Sequence, residues 1–110
     1  MIEIRIIPDD KERKREFHAL VRRPAWGKTV LLIRPEDIQR IFSPKRLRIL
    51  WLLKTPTASI STLAAELHRP FEAVHRDIKL LESYGLVKLD KRGRRVIPTL
   101  AGKISVPIIA

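Results

Sequence analysis

Cysteine and asparagine are absent from this chain, and glutamine occurs only at Gln39. Without thiols there is no disulfide framework, no thiolate metal site and no thiol redox switch, which fits a reducing compartment. Scarcity of thermolabile amides is a habit of proteins from hot-living organisms. Aromatic residues make up 5% of the chain, few for the stacking platforms that grip unpaired bases, which weighs against RNA as the partner. No apolar run approaches the ~20 residues of a membrane span, and no secretory signal precedes the first strand-like segment. A cytoplasmic protein with no membrane partner is the expectation. No GxGxxG or other phosphate-cradling loop is present, and no cofactor is expected.

Positive charge is what the chain has in excess. Lys and Arg number 23 against 12 Asp and Glu, a formal net charge of +11 over 110 residues. That is more than solubility needs and favours a polyanionic partner over an incidentally basic surface. A hydrophobic fraction of 45% supplies a core for one compact domain, or for a small domain with extensions.

Residues 1–42 read as strand-helix-strand-helix. Ile2, Ile4 and Ile6 alternate with polar residues; Asp9 and Asp10 then open a polar helix expected to pack only through Phe17, Leu20 and Val21. RPAWGK is a turn, TVLLIR a strand, and PEDIQRIF a short helix with Ile38, Ile41 and Phe42 inward. From Ser43 the signals strengthen. Ser43 and Pro44 open SPKRLRILWLLK, with Leu47, Leu50, Trp51 and Leu53 on one side; an extended piece is expected around Ile60, with Ser61 capping TLAAELH. A helix over 70–84 follows a tight HRP turn and ends at Gly85, with Leu86 folding back. VKLD, KRG and RRVIP then form a β-hairpin tipped by Lys91, Arg92 and Gly93. In the tail, Ile104, Val106 and Ile108 alternate, and Pro107 argues for an edge strand. The two strand-like ends could pair with each other or with a second subunit.

The stretch VHRDIK looks like a protein-kinase catalytic loop. A kinase also needs an asparagine for magnesium, a glycine-rich loop and DFG, and this chain has none of them. Val74, Ile78 and Leu81 moreover put HRDIK on an amphipathic helix rather than a loop. His68, Glu72, His75 and Asp77 lie close in sequence, but a turn separates the two histidines, so metal-ligand convergence is not implied. No arrangement of nucleophile, base and carboxylate emerges, and no enzymatic activity is expected.

The outward face of that helix, at ~100° per residue, collects Arg69, Glu72, Arg76, Lys79 and Ser83, with His75 at the boundary and Phe71 on the inward edge. Arg69 and Arg76 offer forked donors to guanine or phosphate, and Glu72 can accept from a cytosine amino group. Lys79 and Ser83 lie further along, toward backbone. The hairpin tip adds Lys91, Arg92, Arg94 and Arg95 beside a glycine, as a finger lying on phosphates or in the minor groove requires. Strand alternation implies that Arg94 and Arg95 do not both face the nucleic acid.

The segments SPKRLRILWLLK and ISTLAAELHRPFEAVHRDIKLLESYGLVKLDKRGRRVIP resemble a winged helix-turn-helix transcriptional regulator of the broad MarR/ArsR-like group. More narrowly, they are similar to predicted archaeal and bacterial DNA-binding regulators in which a PKRL helix precedes an LA..L.R....VH.D.K.LE..GL core and an apolar strand ends the chain. The likeness covers about Ser43 to Ile109, and VHRDIKLLESYGLV is its most specific part. Two positions depart from the pattern: Pro70 stands where a polar cap is common, and Ala73 limits base contact there to a thymine methyl.

The resemblance implies an α+β fold with a three-helix core and a β-hairpin wing over 43–98. The extension over 1–42 would dimerise or bind a protein partner, and a C-terminal edge strand over 99–110 would pack on it or on a second subunit. It implies a nucleoid-associated, homodimeric regulator that reads double-stranded DNA, with helix 70–84 in the major groove and wing 90–95 on backbone or minor groove. The DNA-binding set is then Arg69, Glu72, His75, Arg76, Lys79, Lys91, Arg92, Arg94 and Arg95. The alternative is a winged-helix interaction module, antitoxin-like or part of a transcription complex, without base-specific readout.

Overall fold

Alternate isoleucines set the first element. Ile2 and Ile4 are buried while Glu3 and Arg5 point to the other side, the period of a strand, and β1 (Ile2–Ile6) forms. The computed structural model describes residues 1–24 and 27–105. β1 is the middle of a three-stranded parallel sheet between β2 (Thr29–Ile33) and the returning tail strand Ile104–Ser105, with Ile2 opposite Thr29 on one side and Ile104 on the other. The two ends of the chain thus do pair with each other. The strand expected at Val106, Pro107 and Ile108, and the turn expected at Ala25 and Trp26, lie outside the described residues.

The crossover between the parallel strands β1 and β2 is α1 (Asp10–Arg22). Asp9 caps it in extended conformation, its carboxylate accepting the Glu12 N–H at 2.8 Å. None of its residues is buried. Phe17 and Val21, expected to pack inward, are instead 60% and 64% exposed, and Leu20 alone of the three is half-buried. The reason is polar attachment: Arg5 of the sheet donates to Glu16 of α1 at 3.1 Å and to Glu3 at 2.8 Å, and Lys28 lies 3.5 Å from Glu3. The Arg5 hydrogen bond holds the Glu3 carboxyl below the usual carboxylate range. After β2, α2 (Pro35–Ile41) begins with proline and keeps Glu36 and Asp37 within 3.6 and 3.3 Å of Arg34.

The described chain divides into two compact units, Met1–Arg40 with the strand returning from Gly102, and Ile41–Ala101. The second unit opens with α3 (Pro44–Leu52), where the Ser43 hydroxyl accepts the Arg46 N–H at 3.3 Å and Pro44 takes the first turn. Its inward face is Ile49 and Leu50, followed by Leu53, whereas Leu47 and Trp51 are 47% and 67% exposed. The helix is turned from the expected facing because Arg46 points inward, with its side chain 23% exposed.

The next helix starts two residues earlier than expected. In α4 (Ile60–Leu67) the cap is Ser59, extended at φ −173°, whose hydroxyl accepts the Thr62 N–H at 3.0 Å. Ser61 is exposed inside the helix, and Ile60 is helical rather than extended. Two serines two residues apart offer equivalent caps. Burial of Ile60, 2% exposed, selects the first by putting this side chain in the core.

His68, left-handed at φ +54°, ends α4, and Pro70 precedes α5 (Phe71–Ser83). Val74, Ile78 and Leu81 of α5 are fully buried. Its end is closed as expected: Gly85 at φ +77° donates to Glu82 at 2.9 Å, and Leu86 donates to Leu81 at 3.0 Å and is fully buried. The antiparallel pair β3 (Val87–Arg92) and β4 (Arg95–Leu100) runs in register from Val87 opposite Leu100 to Arg92 opposite Arg95. Gly93 at φ +63° starts the two-residue turn, where a positive φ suits the right-handed strand twist.

The result is an α+β chain of five helices and five strands among the described residues, β5 being the tail strand. None of those helices is long and apolar enough to cross a membrane. The cap assignment gives a direct check. Ser59→Ala should cost ~1 kcal/mol in urea unfolding, as loss of a capping hydroxyl does, while Ser61→Ala should stay within about 0.5 kcal/mol. Equal losses at the two positions would refute it.

Candidate nucleic-acid interface

Four residues, 74, 77, 78 and 81, form the inward stripe of α5 at helical spacing, and three of them are apolar. The opposite face therefore meets solvent. Glu72, His75, Arg76, Lys79 and Ser83 are all exposed there. Arg76 has no intramolecular partner among the described residues, so its guanidinium fork is uncommitted. Lys79 holds Glu82 at 2.8 Å, a solvent-exposed pair of the kind that contributes little. Phe71, expected at the inward edge, is instead 43% exposed and stacks on His75 at 5.6 Å with 21° between the rings. The stack orients the imidazole along the outer face of the helix.

Arg69 is not part of that face. Its Nη2 donates to Asp77 at 2.7 Å, and its side chain is only 18% exposed. Arg46 of α3 donates to the other Asp77 oxygen at 3.2 Å. An acid whose side chain is 11% exposed requires such partners, since a buried charge without them is costly. Arg69 is thus drawn inward from the turn between α4 and α5, and its Nη1 is buried without a hydrogen-bond partner. The sequence held a signal for this arrangement: Asp77 occupies an inward position of the helical stripe, which demands an internal cation. The grouping of His68, Glu72, His75 and Asp77 dissolves for the same reason, and among the described residues no three His, Asp or Glu side chains converge.

The hairpin tip exposes Lys91, Arg92, Arg94 and Arg95. Arg94 belongs to the turn, so strand alternation does not govern it, contrary to the sequence reading. Arg92 and Arg95 stand directly opposite on one face, and Lys91, opposite Val96, on the other. Like charges in direct cross-strand register are unfavourable. Asp90, at 2.9 Å from Arg92, relieves one of them, and this pair too is exposed. Three of the four tip cations remain without a partner among the described residues.

A family model, HVO_A0114, matches residues 41–103, more than half of the 110 residues. The chain belongs to the HVO_A0114 family. The HVO_A0114 match begins at the first residue of the second compact unit and ends two residues past its last, so the unit holding Asp77, the outer face of α5 and the hairpin is the family's own domain. Residues 1–40 fall outside the matched HVO_A0114 segment. No curated protein matches the chain.

Removing the Asp77 carboxylate should leave two inward guanidiniums facing each other. Asp77→Ala is expected to lower unfolding stability by about 2–3 kcal/mol, somewhat less than the ~3–5 kcal/mol of a fully buried pair because all three side chains keep some solvent. Arg76→Ala should change it by no more than about 0.5 kcal/mol. Urea denaturation of both variants tests the division between an internal ion pair and an open face; a large loss from Arg76→Ala would contradict it.

Proposed function

We propose that this chain is a winged helix-turn-helix regulator that binds double-stranded DNA, with α5 as recognition helix and the β3–β4 hairpin as wing. Support comes from one observation above all: the uncommitted Arg76 on the solvent face of α5, in a unit that also ends in a hairpin tip with four exposed cations. The order of three helices followed by a two-stranded hairpin is that of a winged helix. Arg76 supplies the bidentate fork for guanine O6 and N7 in the major groove, Glu72 an acceptor for a cytosine amino group, and His75 a donor held by its stack on Phe71. Lys79, Lys91, Arg92, Arg94 and Arg95 meet phosphates. Arg69 has no direct role, because Asp77 occupies it. The active form is a homodimer on a pseudo-palindromic site, since two-fold protein symmetry mirrors two-fold DNA symmetry. The chain acts by binding, not by catalysis.

A second reading has its own observation. Leu47 and Trp51 lie four residues apart on α3 and stay open, with the Lys54 ammonium 4.1 Å over the Trp51 ring. An apolar pair of this kind suits a protein partner, as in an interaction module without base readout.

Binding of duplex DNA across a salt series separates the two. Affinity should fall steeply with salt. Arg76→Ala should cost about 1–3 kcal/mol on selected sites and relax preference at particular base pairs, whereas Arg94→Ala should weaken all duplexes alike and lower the salt slope by ~1. Salt-independent binding, or an Arg76→Ala loss equal on every sequence, would remove the case for base reading. If instead Trp51→Ala abolishes a stoichiometric protein complex and DNA is not retained, the interaction module stands.

A further inference from the structure

The N-terminal unit carries a cationic surface that the proposed DNA-binding domain does not include. On α1, positions 11, 14, 15, 18, 19 and 22 follow the three-and-four spacing of a single helical face. Lys11, Lys14, Arg15, His18 and Arg22, with Ala19 among them, line one groove at the surface. Arg15 is held by Glu12 at 3.1 Å. Lys11, Lys14 and Arg22 are exposed and have no intramolecular partner among the described residues.

The helix's own stability does not account for this pattern. Like charges three and four residues apart destabilise a helix, and Lys11 and Lys14 sit near the end where the helix dipole disfavours cations. Of the carboxylates beside the face, Asp9 caps, Glu12 holds Arg15 and Glu16 is taken by Arg5 of the sheet, which leaves Asp10 alone in the first turn against the cations. None of the helix is buried, so these side chains do not serve a core. A run from position 11 to 22 spans ~16 Å at ~1.5 Å per residue. Duplex DNA presents a phosphate on each strand every ~3.4 Å along its axis, so a face of that length reaches several phosphates in succession.

We infer that the Lys11, Lys14 and Arg22 face of α1 is a second, sequence-independent binding surface for the phosphate backbone of duplex DNA, in a unit separate from α5 and the hairpin. The assignment rests on the reading of the chain as a DNA-binding protein. It makes the first unit a contributor to non-specific affinity, alongside any part it takes in dimerisation.

The test is a salt titration of duplex binding by the full chain and by the triple variant Lys11→Gln, Lys14→Gln, Arg22→Gln, on a preferred and an unrelated sequence. With three phosphates no longer neutralised, the slope of log affinity against log salt should become shallower by about 2.7, at ~0.9 per phosphate. The ratio between the two sequences should stay unchanged. Lys11→Arg with Lys14→Arg should keep the wild-type slope, and thermal melting of each variant verifies that the chain remains folded. An unchanged slope in the triple variant, with wild-type chain binding duplex, overturns the α1 surface alone. Failure of the wild-type chain to bind any duplex overturns both this inference and the function it rests on. If the triple variant keeps its duplex slope but loses binding to phosphatidylserine vesicles, the helix meets lipid through this basic face with Phe17 and Val21, and the nucleic-acid assignment falls.

Discussion

The carboxylate of Asp77, shared between Arg46 and Arg69, fixes how α5 is turned in its unit. One oxygen takes α3 and the other takes the turn before α5. A single inward acid thereby joins three segments that are far apart or differently directed in sequence. The geometry is demanding because all three side chains are largely withdrawn from water, and a mismatched buried charge is far more costly than a mismatched methyl group. With Asp77 inward, Val74, Ile78 and Leu81 must be inward too, and Glu72, His75, Arg76 and Lys79 must point out. The same interaction that orders the core therefore decides which polar groups are left for a partner. It also accounts for the facing of α3: once Arg46 turns in, Leu47 and Trp51 are left outside.

The two units use charge in opposite ways. In the second, Asp77 draws two guanidiniums inward, Lys79 and Arg92 form exposed pairs, and Arg76, Lys91, Arg94 and Arg95 have no partner among the described residues. In the first, ion pairs between Arg5, Glu3, Glu16 and Lys28 stand where apolar packing was expected. That leaves α1 with exposed faces of two kinds, one cationic and one apolar through Phe17 and Val21. Part of the net charge of +11 is thus gathered on the helix face of α1, the outer face of α5 and the hairpin tip.

What could be read from the sequence was whatever a few neighbouring residues decide on their own. Ser43 with Pro44, Asp9 before a polar helix, Gly85 with Leu86, and the glycine between two alternating runs each announce a local backbone state, and each forms as expected. The outward set Glu72, His75, Arg76 and Lys79 was legible too, because it is the complement of an apolar stripe within one helix. The misreadings arise where local rules tie or where a distant residue intervenes. Ser59 and Ser61 are equally good caps until Ile60 must be buried. Arg69 looked outward because its partner lies eight residues on, across a turn. Phe17, Val21 and Trp51 looked inward because apolar character alone does not say what a helix will meet.

Sequence by itself determined the kinds of element, their order, the ends that short motifs cap, and the excess of cationic side chains, since these depend on φ and ψ preferences and composition within one turn or strand. Tertiary structure alone decided which cations are consumed inside and which remain outside. That partition depends on where the buried carboxylate of Asp77 and the sheet-facing carboxylates of Glu3 and Glu16 come to lie, and an ion pair forms only between charges that folding has brought within a few ångströms.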